Sequence, residues 1–422
     1  MKRSLWKKLG PGLITGAADD DPSGIATYSQ AGSQFGYGQL WTVLFMLPLM
    51  VSVQEACARI GQVTGKGIIT VMKERFSRKI ILGAVILVLI ANTINIGADI
   101  GAMAAALQLI FPINFTIAML LFTAIILVLE IFTSYKTYSQ ILKWLTLSLV
   151  SYILTVFFVQ EPWGQILKAT FIPHFELNFT FLFIIVGVLG TTISPYMFFW
   201  EAEEEVEEER ERHQFRKDGK PKINSWSIRS MRLDNFLGML SSNLVAWCII
   251  VTTATVLHNH GITEIKNSAD AAKALEPLVN TFPNAGLLAK LIFSVGIVGL
   301  GLLAVPVLSA SASYAVSEAF NWRASLNYKM KRAHGFYGII TIATLFGLFI
   351  NFIGIDPVKA LVVAAVINGI IAVPLIFLIA KIANNREIMG EYKSGKLSNI
   401  FTWLTFILMG IADLAMFWSF LR

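Results

Sequence analysis

The chain has 422 residues, of which 55% are hydrophobic and 14% charged, and its mean hydropathy is +0.65. A soluble protein of that length needs far more polar surface to wrap its core. The composition therefore excludes a string of soluble domains and fits one integral membrane domain clothed in lipid. The net charge of +7 does not imply nucleic acid, because the basic residues fall in short loops between apolar runs.

A bilayer-crossing helix takes about 20 mainly apolar residues. Eleven such spans are expected, over roughly 11–33, 38–60, 80–109, 115–134, 141–160, 179–203, 233–257, 286–318, 335–353, 357–381 and 399–421. The fold class is thus all-α and integral to the membrane. The basic start, Met1 to Gly10, lacks a small-residue cleavage site and reads as a cytoplasmic tail. With that tail inside, alternate loops must be basic. They are: Lys66 to Lys79 follow span 2, Lys136 and Lys143 flank the 4–5 turn, Arg210 to Arg232 follow span 6, Arg323 to Arg332 follow span 8, and Lys381 to Lys396 follow span 10. Together with the tail these segments hold 27 of the 34 lysines and arginines, so the count of eleven supports itself and puts the C-terminus outside. Short tails and a single core fit a bacterial inner membrane.

Span 1 carries Asp19-Asp20-Asp21 followed by Pro22 and Gly24 in the middle of an apolar run. Carboxylates at that depth cost at least about 2.5 kcal/mol each on insertion scales. Proline has no N–H and disfavours helical geometry at the residue before it, so the helix should unwind at Asp21-Pro22. Span 6 repeats the device with Thr191-Thr192-Ile193-Ser194-Pro195-Tyr196. Unwound backbone at membrane depth survives where it lines a cavity or is buried in protein. Two ordinary proline kinks would explain the prolines but not the three aspartates. Spans 1 and 6 each open a five-helix half, over about 10–160 and about 179–381, and span 11 at about 399–421 is left over. Paired breaks in corresponding positions point to a midplane site between inverted repeats.

Carboxylates, hydroxyls and freed carbonyls make an all-oxygen, negative site suited to hard cations such as Mg²⁺, Ca²⁺ or Mn²⁺. The expected ligands are Asp21 and Asp20, the Ala18 and Thr191 carbonyls and the Ser194 hydroxyl. Asp19, Gly24, Tyr196 and Asn368 shape the site, Asp99 in span 3 is a functional candidate as a lone membrane carboxylate, and Pro22 and Pro195 are hinges. Asn92, Asn95, Gly97 and Gly101 around Asp99 suit close helix packing. Gln54 and Glu55 lie near Arg59, with Glu55 spaced to pair with it. The run Glu201-Ala202-Glu203-Glu204-Glu205-Val206-Glu207-Glu208-Glu209 reads as a solvated helical extension, partly neutralised by Arg210 and Arg212. Its sharper reading is a negative vestibule that draws in cations. His258-Asn259-His260 in the long outer loop reads as a solvated turn. Cys57 and Cys248 sit in apolar runs and imply no disulfide framework.

Several stretches resemble the Nramp family of divalent metal transporters: Gly10-Pro11-Gly12, Asp21-Pro22-Ser23-Gly24, Gly36-Tyr37-Gly38-Gln39-Leu40-Trp41, Ala58 to Lys66, Gly301-Leu302-Leu303-Ala304 and Ser309 to Ala315. The resemblance implies a LeuT-type core of two inverted five-helix repeats plus an extra helix. The departures carry information. Gly24 stands where the family's Asp-Pro-Gly-Asn motif has its asparagine ligand, which leaves room for a metal that keeps its waters. Ser194-Pro195-Tyr196 replaces Met-Pro-His, removing a soft thioether and a histidine linked to proton transfer. Asp99 matches an acid on the family's proton route, but Ala102 replaces a second. The pattern is similar to the Nramp-related magnesium transporter branch.

The reading is therefore uptake of a divalent cation, of the Mg²⁺ or Mn²⁺ type, by alternating access with a weakened proton relay. The cation is substrate; no cofactor, nucleic acid or obligate protein partner is implied beyond the lipid bilayer. Alternatives are a cation-coupled amino acid or organic solute transporter of the same fold, and a membrane-embedded metal sensor or scaffold. No nucleophile–base pair or cofactor motif suggests an enzyme.

Overall fold

The computed structural model describes residues 11–133, 150–158, 162–211, 215, 221–279 and 283–421. The basic tail, most of span 5, the 4–5 turn with Lys136 and Lys143, Arg212 to Gln214 and Arg216 to Lys220 lie outside the described residues. The first expected span begins as α1 (Pro11–Asp19), stops, and resumes as α2 (Pro22–Phe35). Span 2 is α3 (Trp41–Thr64), span 3 is α4 (Arg78–Gln108) and span 4 is α5 (Phe115–Phe132). Span 6 is split into α6 (Phe179–Thr192) and α7 (Pro195–Glu211). There follow α8 (Ser225–Val256), α9 (Ala285–Ala319), α10 (His334–Ile350), α11 (Pro357–Ala383) and α12 (Lys396–Phe420).

Among the described residues, 9 helical spans are long and apolar enough to cross a bilayer. The two expected spans outside that count are the first, whose halves are 9 and 14 residues long, and the fifth, described only over Val150–Phe158. α7 runs eight residues past the expected end of span 6, and α8 begins eight before the expected start of span 7. The loop after α8 holds a short helix, Ser268–Ala272. It opens with a single turn, His258–His260, in which Asn259 and His260 are exposed as expected and His258 is half-buried. No strand occurs among the described residues.

The helix ends follow local chemistry. Asn114, Asn178 and Asp356 cap α5, α6 and α11 by accepting backbone N–H bonds in the first turn. Asn224 caps α8 reciprocally with Ser227.

The two broken spans sit side by side in opposite chain directions. α2 packs against α6, α8 and α11, while α1 packs against α7 and α8. α4 lies along α9, α10 and α11, and α12 rests outside on α3, α6 and α11. Small residues allow these approaches, as expected for membrane helices. Asn351 donates to the Gly97 carbonyl at 2.8 Å where α4 meets the end of α10. Gly190 of α6 lies so close to α11 that a Cβ there would sit 2.6 Å from the Gly369 Cα.

Glu55 holds three helices together. It accepts from Arg59 Nε at 3.0 Å, from Arg232 Nε of α8 at 2.9 Å and from Ser398 Oγ of α12 at 2.6 Å. The expected Glu55–Arg59 pairing is thus present, and it belongs to a larger network. Arg59 also donates to the Tyr392 carbonyl at 2.9 Å. Glu55→Ala strands a buried guanidinium, at a cost of about 3–5 kcal/mol. The variant should melt at clearly lower temperature in detergent, read by tryptophan fluorescence; an unchanged melting temperature would mean that the network adds nothing to stability.

Candidate functional site

Proline chemistry sets the two breaks. A proline at position i cannot donate to the carbonyl at i−4, so Pro22 frees Ala18 O and Pro195 frees Thr191 O from their helical partners. At the first break Asp21 adopts extended backbone (φ −65°, ψ 173°) and becomes the N-cap of α2. Its Oδ1 accepts from Ser23 Oγ at 2.6 Å and from the Gly24 N–H at 2.7 Å. At the second break Ile193 leaves helical geometry (φ −117°, ψ 61°) and Pro195 restarts the helix.

The breaks meet. Tyr196, at the start of α7, donates its hydroxyl to Ala18 O at 2.7 Å and approaches Asp21 Oδ2 at 3.4 Å. Thr191 Oγ1 lies 3.3 Å from Ser23 Oγ. One helical turn further along α2, Tyr28 shares a 2.7 Å hydrogen bond with Thr192. Ser194 Oγ donates to the Gly190 carbonyl at 2.6 Å and accepts from Asn368 Nδ2 of α11 at 3.3 Å. The structure thus brings Ala18, Asp21, Thr191, Ser194, Tyr196 and Asn368 to one junction, all of them buried.

The remaining aspartates are handled differently. Asp19 Oδ2 accepts a short hydrogen bond from Ser242 of α8, and its Oδ1 meets no donor. Both oxygens of Asp20 are buried without a hydrogen-bond partner, and so are both oxygens of Asp99 on α4. Asp99 lies within electrostatic reach of Asp21 and Tyr196. Among the described residues no lysine or arginine pairs with any of these four carboxylates, and no three His, Cys, Asp or Glu side chains converge as a metal cage. The aspartates fan out. Such an arrangement offers a cation one or two carboxylates plus freed carbonyls and hydroxyls. Buried carboxylates left unpaired are expensive, so the charge calls for a cation or a proton.

Two expectations need correcting. Gly24 does not open space: a Cβ there would sit 3.1 Å from Asp19 O and 3.3 Å from Thr191 Oγ1, because the second break packs directly onto the glycine. The acidic run is not solvated. Glu201, Glu203, Glu204, Glu205, Glu207 and Glu209 are each at most 5% exposed, because α7 is wedged between α3 and α9. Thr15 of α1 donates a short hydrogen bond to Glu201. Thr15, Ser23 and Ser242 escaped the sequence reading, since their partners are either too local to look functional or too distant in the chain.

On the side of the 257–283 loop, a cavity of about 20 Å³ touches the first break. It is bounded by Pro22, Ile25, Ile265, Phe293, Ile297 and Leu361, and has room for about one water.

Comparison with known proteins places this architecture. The family model described as natural resistance-associated macrophage protein-like matches residues 12–419. A divalent metal cation transporter of Bacillus subtilis is 28% identical over 416 residues, covering 96% of this chain and 91% of that protein. One from Caldanaerobacter subterraneus is 25% identical over 404 residues, covering 94% and 89%. The crystal structure of a manganese transporter of Eremococcus coleocola, solved with an aromatic bis-isothiourea compound, superposes with a TM-score of 0.75 at 17% identity, over 98% of this chain and 87% of that one.

Proposed function

Because this chain belongs to the Nramp family, we propose that it carries divalent metal cations across the membrane by alternating access around its two broken helices. The observation that carries the reading is the junction of the breaks: Asp21, the Ala18 carbonyl and Tyr196 in contact, with the unpartnered oxygens of Asp20 on the adjoining turn.

The ligand set is Asp21 and Asp20, the Ala18 and Thr191 carbonyls and the Ser194 hydroxyl. Asp19, Gly24, Tyr196 and Asn368 position it, and Pro22 and Pro195 act as hinges. All of these offer oxygen or backbone, which favours hard Mg²⁺ or Mn²⁺ over softer ions. Asp20 supplies negative charge with no protein donor to satisfy it. Tyr196 and Ser194 supply no titrating base in place of the family's histidine, and Asp99 without a second acid at Ala102 makes a poor proton wire. Coupling to protons is therefore weak.

The eleven spans form two inverted five-helix repeats, about 10–160 and about 179–381, with the helix at about 399–421 added. The basic loops place the N-terminus in the cytoplasm and the C-terminus outside, in a bacterial inner membrane, with net flux inward. The relatives named divalent metal cation transporters support the cargo class.

Uptake of radioactive manganese into proteoliposomes tests the reading. Mg²⁺ added outside should compete with manganese at concentrations where Ca²⁺ competes less, and reversing an imposed pH gradient should change the rate by less than about twofold, under 0.5 kcal/mol in the driving term. Absence of flux for all three cations, with flux of an amino acid instead, would sink it.

A further inference from the structure

The half-helix α7 carries its buried glutamates on two faces. Spacing of four residues puts Glu201, Glu205 and Glu209 on one side, and Glu203 and Glu207 nearly opposite. The second face is answered by protein. Glu207 accepts from Asn327 Nδ2 at 2.9 Å, Ser325 Oγ at 3.0 Å and Tyr314 at 3.3 Å, and pairs with Arg210 at 3.2 Å. Glu203 faces Glu318, whose carboxylate takes the N–H groups of Ile69 at 3.0 Å and Thr70 at 3.2 Å.

Among the described residues, Glu201, Glu205 and Glu209 on the first face meet no cation. Their donors are neutral: Thr15 to Glu201, and Gln62 to Glu205 at 3.2 Å. Glu201 Oε1 and Glu209 Oε2 meet no partner. The fully buried Asn235 of α8 faces Glu201 within reach of its carboxylate, but neither its Oδ1 nor its Nδ2 reaches good hydrogen-bond geometry with any partner. Among the described residues no lysine or arginine forms an ion pair with Glu201, Glu205 or Glu209, and Asp234 adds to the negative field around them. One helix thus holds the same residue type in two settings, and among the described residues only Glu207 is paired with a cation, Arg210. Thr15 lies one helical turn before Asp19, so the first face begins where the first break ends.

We propose that this face is a second cation station on the inner route, where a divalent cation arriving from the breaks is held, still partly hydrated, by Glu201 with the Asn235 and Thr15 oxygens, and is handed on to Glu205 and Glu209. The proposal rests on the transport reading above. Its chemistry, one carboxylate at a time with neutral oxygens and water, suits an ion of the Mg²⁺ or Mn²⁺ type, and agrees with the lack of a three-carboxylate cage among the described residues.

Equilibrium binding of radioactive manganese to the full chain in detergent, paired with vesicle uptake, tests it. Glu201→Gln should lose one class of bound ion and slow uptake about tenfold, roughly 1.4 kcal/mol. Glu205→Gln should show the same trend and carries the test should the first variant misfold. Glu207→Gln, on the satisfied face, should keep both classes of ion and near-normal uptake. Unchanged binding and uptake in Glu201→Gln and Glu205→Gln would overturn the station, as would equal losses in Glu207→Gln. Failure of the transport reading looks different: the unaltered chain would then take up none of the cations at all.

Discussion

Asp21→Ala should reduce manganese uptake by at least about a hundredfold, roughly 2.7 kcal/mol or more, while leaving a protein that purifies folded. Asp21 is the carboxylate at the meeting point of the breaks, with Oδ1 committed to α2 and Oδ2 turned toward Tyr196. Removing it takes away a charged ligand that no neighbour replaces, because Asp19 is bound to Ser242 and Asp20 already belongs to the proposed ligand set. The fold survives because two effects offset each other. Losing an N-cap costs about 1 kcal/mol, and removing a buried carboxylate saves at least a comparable desolvation cost. Asp21→Asn separates the two roles: it can still cap α2, so its melting temperature should match the wild type while its uptake is lost. Wild-type uptake in both variants would remove Asp21 from the cation site.

The second large effect is on folding. Gly190→Val should yield mostly aggregated or degraded protein. The α6–α11 contact is backbone to backbone at this point: a Cβ on residue 190 would sit 2.6 Å from the Gly369 Cα, and closer still to the Ala365 carbonyl oxygen. Neither neighbour can rotate away. Overpacking a core typically costs about 1–3 kcal/mol where side chains yield, and here whole helices must part. Because Gly190 also accepts from Ser194, the second break would shift with them. Size-exclusion profiles of a fluorescent fusion read the outcome directly. A monodisperse Gly190→Val at wild-type yield would show that the two helices tolerate separation.

The breaks were legible in sequence because their cause is local. A proline removes one N–H, and the residue before it is pushed out of helical geometry, whatever the rest of the chain does. Asp21-Pro22 and Ser194-Pro195 therefore announced themselves as breaks. The Glu55–Arg59 pair was legible for a related reason, since helical spacing alone brings the two side chains together. The acidic run was misread because a string of glutamates looks the same whether water or protein surrounds it. Its partners Gln62, Tyr314, Ser325 and Asn327 lie more than a hundred residues away in the chain. Gly24 was misread for want of the same information: a missing side chain leaves space only if the neighbouring helix does not move in, and α6 has moved in. The Ser242–Asp19 bond joins residues 223 positions apart, and no spacing rule reaches so far.

The small cavity beside the first break has an electrical consequence. Its walls are mostly apolar, with Pro22, Ile25, Phe293 and Ile297 beside Ser29 and Ser268, and a volume of about 20 Å³ admits roughly one water molecule rather than a file of them. A naked ion would meet at most the Ser29 and Ser268 hydroxyls there, too few to replace its hydration shell, and a proton finds no chain of waters to hop along. By this route, then, neither ions nor protons should leak past the first break, and the membrane voltage is not drained there.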